Sequence, residues 1–168
     1  MEILHAQEQG FCVAAHGCLV VAIWGREAEI GDLQQIAVAQ RRAIAKHHHC
    51  AAVTIIRARP TLGVSPEIRA LAAENLREIA NVNRGTAMVV EAGGARAIFF
   101  RSIITSVNLL ARTTTPRKVF TTIDAAIGWV LTRPGIEPET AAASEQIVAA
   151  VHVLADRYGA MDCRPAAL

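Results

Sequence analysis

The stretch Ala51-Ala52-Val53-Thr54-Ile55-Ile56 decides the fold of this 168-residue chain. It is short, nearly all apolar and rich in β-branched side chains, which is typical of a strand that helices cover on both faces. The stretch therefore predicts a central strand of a mostly parallel sheet, and with it an α/β protein.

Before this strand, the sequence predicts a β-hairpin and a helix. Residues 11–15 and 18–24 are apolar runs separated by His16-Gly17, and a two-residue spacer with glycine is typical of a hairpin turn. Gly31-Asp32 then offers a cap for a helix that extends to about Lys46. We therefore expect the sheet to begin with an antiparallel pair.

After the central strand, helices and strands alternate. A helix begins at Ser65-Pro66, because serine is a favoured N-cap and proline a favoured first helical residue. The further predicted elements are strands at 86–90 and 118–123 and helices at 95–111, 125–131 and 137–158. This order predicts βα units that follow the hairpin, with helices flanking the sheet.

The length of the chain suits a single domain with one substantial core. The segment from Pro134 to Pro138 is the only boundary that the sequence suggests. We therefore expect an α/β core at 1–133, followed at 134–168 by a linker and an appended C-terminal helix.

Composition excludes several classes of protein. The formal net charge is +2 and the basic residues are scattered, so nucleic acid is not an expected partner. No segment has the apolar length of a transmembrane helix, and the N-terminus lacks the pattern of a signal peptide, so we expect a cytoplasmic protein. Cys12, Cys18 and Cys50 lie in or beside apolar runs without a CxxC pair, which indicates buried, reduced thiols.

The last predicted strand and helix read Lys118-Val119-Phe120-Thr121-Thr122-Ile123-Asp124-Ala125-Ala126-Ile127-Gly128-Trp129-Val130. An aromatic residue, a short polar cap, paired alanines and a tryptophan beside an aliphatic residue resemble the closing segment of the STAS-like, or SpoIIAA-like, family. The resemblance covers residues 11–131. It implies a non-enzymatic regulatory module that acts through protein contacts.

In the anti-sigma-factor-antagonist branch of that family, a partner kinase phosphorylates a serine in an Asp-Ser-Ser-Gly turn before the second helix. The corresponding connection here, residues 57–65, is longer and lacks this motif. Its hydroxyls belong to Thr61 and Ser65, and phosphate on either would meet the positive end of a helix dipole. Capping alone also explains Ser65, so a switch role and a structural role stay open.

The helix predicted at 95–111 is apolar around more of its circumference than one sheet face needs. A second subunit or the terminal helix could cover the excess, and a homodimer is our first expectation. A membrane-surface role would need more Lys or Arg on the polar side. The predicted interface consists of Phe99, Phe100, Ile103, Ile104 and Val107.

A small-molecule or lipid ligand at the carboxyl ends of the strands is the alternative. Arg57 and Arg59 would lie there, together with Gly93-Gly94, whose lack of side chains permits close approach of a phosphate. Neither a dinucleotide-binding motif nor a P-loop follows, and a tight turn explains the glycine pair equally well. No cofactor is predicted.

The sequence gives little sign of metal binding or catalysis. His47-His48-His49-Cys50 holds metal-ligating residue types, but adjacent side chains diverge, and polar residues at a helix end explain the run. His5, His16 and His152 accompany no nucleophile motif, and no acidic pair suggests acid/base work. We therefore predict neither a metal site nor an enzyme.

Overall fold

The computed structural model describes residues 1–8, 10–57, 65–90, 102, 105–107 and 109–159. Within this part, residues 102, 105–107 and 109–111 are helical in addition to the bounded elements. The strands are β1 (Glu2–Gln7), β2 (Phe11–His16), β3 (Leu19–Trp24), β4 (Cys50–Ile56), β5 (Asn83–Val90) and β6 (Arg117–Phe120). The helices are α1 (Ile30–His47), α2 (Pro66–Glu78), α3 (Ile123–Leu131), α4 (Pro138–Ala142) and α5 (Ser144–Tyr158).

The six strands form one sheet in the order β1-β2-β3-β4-β5-β6. The first three strands pair antiparallel, and β3 to β6 pair parallel. The predicted α/β class, with a mostly parallel sheet, an N-terminal hairpin and flanking helices, is confirmed. In the β2–β3 hairpin, Gly17 takes the first turn position with φ +55°, a conformation that favours glycine.

Residues 2–7, where the sequence predicted no helix or strand, form an edge strand. Glu2 pairs with Ala15 and Gln7 with Phe11, and the register shifts between Ile3 and His5. The segment carries few β-branched residues, so its strand conformation depends on pairing with β2 rather than on local propensity.

The predicted central strand, β4, lies inside the sheet with helices on both faces. Val53 and Ile55 are buried on one face and Cys50 on the other, as expected for a strand covered twice. On one face α1 packs against β2, β3 and β4, with α2 beside it. On the other face α3 packs against β4, β5 and β6, and α5 packs against β2, β3 and α3.

The C-terminal helices form part of this second layer. The predicted terminal helix is divided in two at Ala143, and α5 buries five side chains: Ile147, Val151, Leu154, Ala155 and Tyr158. The boundary proposed at residue 134 stays a prediction, but α5 contributes to the core rather than lying apart from it. No helix among the described residues has the length and apolarity needed to cross a membrane.

Helix ends differ from their predicted positions by a few residues. The first helix begins at Ile30, one residue before the expected cap, because Glu29 is the N-cap and Asp32 completes a capping box with it. Thr122 caps α3 through a bond from the Ala125 amide, so this helix begins at Ile123, two residues before its predicted start. These shifts leave the order of elements unchanged.

Candidate functional site

The carboxyl ends of β3 and β4 hold the first predicted ligand residue, Arg57. Its amide donates to the carbonyl of Trp24 at 2.8 Å. Its guanidinium donates to the carbonyl of Ala155 at 2.8 Å and to Asp156 at 2.9 Å. Arg57 therefore connects the end of α5 to the carboxyl ends of β3 and β4. Arg59, Gly93 and Gly94 lie outside the described residues.

Ser65 is the N-cap of α2. Its Oγ accepts a hydrogen bond from the Ile68 amide at 3.2 Å, and the residue is half-buried. The structural role that the sequence suggested is present, while a switch role stays a prediction. Thr61, the other hydroxyl of the proposed loop, lies outside the described residues.

The predicted apolar interface is described only in part. Phe99, Phe100, Ile103 and Ile104 lie outside the described residues. Val107 is half-buried, and beside it Leu109 and Leu110 are 70% and 51% exposed. Two consecutive leucines are therefore exposed at the end of this helical segment.

A buried ion pair that sequence reasoning missed lies after β3. Arg26 donates to both carboxylate oxygens of Asp32 at 2.8 Å, and to Gln7 at 2.6 Å. The Asp32 side chain is 1% exposed, and it also accepts from the Glu29 amide. These bonds join β1, the end of β3 and the start of α1. The capping-box spacing is visible in the sequence, but the arginine six residues earlier gives no signal.

At the opposite side of the sheet, where the parallel strands begin, the last residue of α1 contacts the segment before α4. His47 Nδ1 lies 2.6 Å from Glu137 Oε1, and the Thr140 hydroxyl donates to Glu137 Oε2 at 3.1 Å. Partial burial raises the pKa of Glu137, but the hydrogen bonds from His47 and Thr140 outweigh it and hold that pKa below its usual value. The carboxylate is thus kept ionised by its partners.

The residues of the histidine run differ in their surroundings. His48 ends α1 in the left-handed conformation with φ 63°, whereas His49 is buried. In the part of the chain that the structure describes, no group of three or more His, Cys, Asp or Glu side chains could hold a metal ion.

Three of the four cysteines lie within the described residues, and their thiols are buried. Cys12, Cys18 and Cys50 are free and inaccessible, as the sequence indicated. Burial raises the pKa of Cys12 to about 11 and that of Cys50 to about 12. Burial, followed by the charge of Glu137, also raises the pKa of Cys18. Thiols with raised pKa values are poor nucleophiles near neutral pH.

A small cleft of about 80 Å³ lies between the hairpin of β1 and β2 and the C-terminal half of α1. We call it the β1–α1 cleft. Its apolar lining comes from Leu4, Ala15, Ala39 and Ala43, and its polar lining from Glu2, Arg42, Lys46 and His47. Ligand pockets for drug-sized molecules are several times larger, so this cleft suits a single short side chain.

The candidate residues therefore lie at opposite ends of the parallel strands. Arg57 and Ser65 belong to the carboxyl side, where both are held by other parts of the chain. The His47–Glu137 pair belongs to the amino side, where it connects distant segments. Comparison with protein-family models, curated proteins and solved structures found no match to this chain.

Proposed function

We propose that this chain is a non-enzymatic regulatory module of the STAS-like type, which acts in the cytoplasm through protein contacts and forms a homodimer. The observation that carries the proposal is the adjacent exposure of Leu109 and Leu110, at 70% and 51%. Burial of a leucine side chain contributes about 1.5–3 kcal/mol, so two neighbouring leucines favour a partner surface.

A second copy is the partner that we propose for this surface. The sequence left open that the terminal helix covers the apolar segment, but the buried side chains of α5 pack against α3, β2 and β3. In a two-fold dimer the same patch occurs on both subunits, so each leucine would contribute twice.

The environment of the polar side chains supports a non-enzymatic role. Arg57 holds the end of α5, and Ser65 caps α2. The carboxylate of Asp32 accepts hydrogen bonds from Arg26 and from the Glu29 amide. Each side chain thus has a structural task that explains its position. Because Arg57 is engaged in this way, the alternative of a ligand at the carboxyl edge has weaker support.

Sedimentation equilibrium tests the dimer with a matched pair of variants. Leu109→Glu places a charge in the proposed interface, and Val153→Glu places one on α5, where Val153 is similarly exposed at 67%. We expect twice the 18.0 kDa chain mass for the wild type and for V153E, and the monomer mass for L109E. A monomeric wild type at micromolar concentration, or equal loss of the dimer in both variants, would contradict the proposal.

The regulatory part of the proposal places the switch at Thr61 or Ser65. Aspartate and asparagine both serve as N-caps, so Ser65→Asp adds charge while Ser65→Asn preserves the cap without charge. If phosphorylation at Ser65 controls assembly, S65D will change the dimer dissociation constant and S65N will not. Equal dissociation constants for S65D and S65N would exclude Ser65 as the switch. Thr61 would then remain, and the variants Thr61→Asp and Thr61→Asn test it in the same way.

A further inference from the structure

We propose that the edge strand β1 accepts an extended acidic segment of a partner protein as a seventh strand, with one acidic side chain in the β1–α1 cleft. The inference goes beyond the proposed dimer, because it concerns a different surface and a different partner. It rests on the free edge of β1, on the cleft beside that edge and on the charges around the cleft.

The free edge provides the main-chain contacts. Within the described residues β1 pairs only with β2, so its outer side presents backbone amides and carbonyls. Peptides that add to such an edge gain affinity from these groups and specificity from pockets for alternate side chains. The register shift leaves Leu4 without a partner on β2, and Leu4 lines the cleft.

The charges around the cleft define the chemistry of the partner. Arg42 and Lys46 lie at its border, His47 is already bound to Glu137, and Glu2 is the only acidic residue in the lining. Arg42 donates to Glu2 at 3.1 Å, but both side chains are 63% exposed, and an exposed pair of this kind contributes little and exchanges readily. A glutamate or aspartate from an added strand can therefore replace Glu2 as the partner of Arg42.

The edge strand on the opposite side of the sheet, β6, differs from β1 in length and in charge. The strand β6 has four residues and begins with Arg117 and Lys118, and short, basic edge strands resist strand addition. The strand β1 has six residues and contains no lysine or arginine. Strand addition is thus directed to β1.

Fluorescence polarisation with two labelled peptides tests the proposal. One peptide alternates valine and glutamate, and the other alternates valine and lysine. We expect the acidic peptide to bind more tightly. Arg42→Gln and Lys46→Gln should each weaken its binding by about two- to five-fold, as expected for an exposed ion pair. Glu2→Gln should strengthen binding, because it frees Arg42. Lys118→Gln removes an equal charge at the other edge and should have no effect.

Hydrogen exchange of the wild-type protein locates the bound peptide without any variant. Addition of the acidic peptide should slow exchange in residues 2–7. The proposal would be overturned if the two peptides bound equally, or if K118Q weakened binding as much as R42Q and K46Q do. Unchanged exchange in β1 would also overturn it. Concentration-dependent protection of β1 without peptide would also overturn it, since a second copy would then occupy the edge. Because the peptide is added to the protein, the assay applies equally to the L109E variant and is independent of the dimer.

Discussion

His47 Nδ1 and Glu137 Oε1 lie 2.6 Å apart although ninety positions separate the two residues in the chain. The contact joins the end of α1, on one face of the sheet, to the segment that leads into the helices of the other face. It therefore links both helical layers at the amino edge of the sheet.

Loss of this contact should lower stability in a pH-dependent way. Because the pKa of Glu137 lies below its usual value of 4.5 in the folded protein, the contribution of this group is complete above that pH and is lost as the pH falls through the folded pKa. We expect Glu137→Gln to reduce the free energy of unfolding by about 1–2 kcal/mol near pH 7 and by less near pH 3. Urea denaturation at both pH values measures this. Glu139→Gln, on the exposed neighbouring carboxylate, should change little, and an equal loss in E139Q would contradict the assignment.

Asp32→Asn should be strongly destabilising. The substitution removes the charge of Asp32 and one of the two oxygens that accept from Arg26, and it leaves the Arg26 guanidinium, whose side chain is 19% exposed, with the exposed carboxylate of Glu29 at 3.2 Å. Removal of one member of a buried pair costs about 3 kcal/mol or more. The exposed pair of Arg41 and Glu78 is the comparison, and Glu78→Gln should cost less than about 1 kcal/mol. Chemical denaturation that shows similar losses for the two variants would refute the buried role of Asp32.

Two glycines should respond to alanine in opposite directions. A Cβ on Gly25 would lie 2.6 Å from the carbonyl oxygen of Tyr158, so Gly25→Ala must displace the end of α5 at a cost of about 1–3 kcal/mol. A Cβ on Gly128, within α3, would meet no atom within 4 Å. Gly128→Ala should therefore stabilise the protein by about 0.5–1 kcal/mol. Thermal melting measures both, and a stabilising G25A would show that α5 does not end against β3.

The three buried thiols should be unreactive in the folded protein. Raised pKa values and full burial leave almost no accessible thiolate at about pH 8. Alkylation with iodoacetamide, followed by peptide mass spectrometry, should modify Cys12, Cys18 and Cys50 only after unfolding in guanidinium. Rapid modification of any of them in the native protein would show that the sheet opens locally.

The sequence was informative where local pattern and tertiary structure agree. The apolar run 51–56 and the hairpin spacer at Gly17 predicted β4 and the β2–β3 pair, because burial and turn geometry act over a few residues. The strand β1 was missed because its pairing with β2, and not its own residue types, determines its conformation.

The site was less predictable than the fold. Ser65 was identified as a cap from its neighbour Pro66, which is local information. The partners of Arg57 and His47 lie about ninety or more residues away, and no periodic pattern records such contacts. The cleft beside β1 depends on a strand that the sequence did not reveal, so its charged border could not be recognised either.

The consecutive strand order has a consequence for synthesis on the ribosome. Each strand pairs with the one translated just before it, so the sheet can grow in the order in which it emerges. The face of β2 and β3 that α5 covers, however, stays open until the last residues of the core have been made. A nascent or prematurely terminated chain that ends before residue 144 would expose this apolar face, and it is the form of the protein that should most need a chaperone.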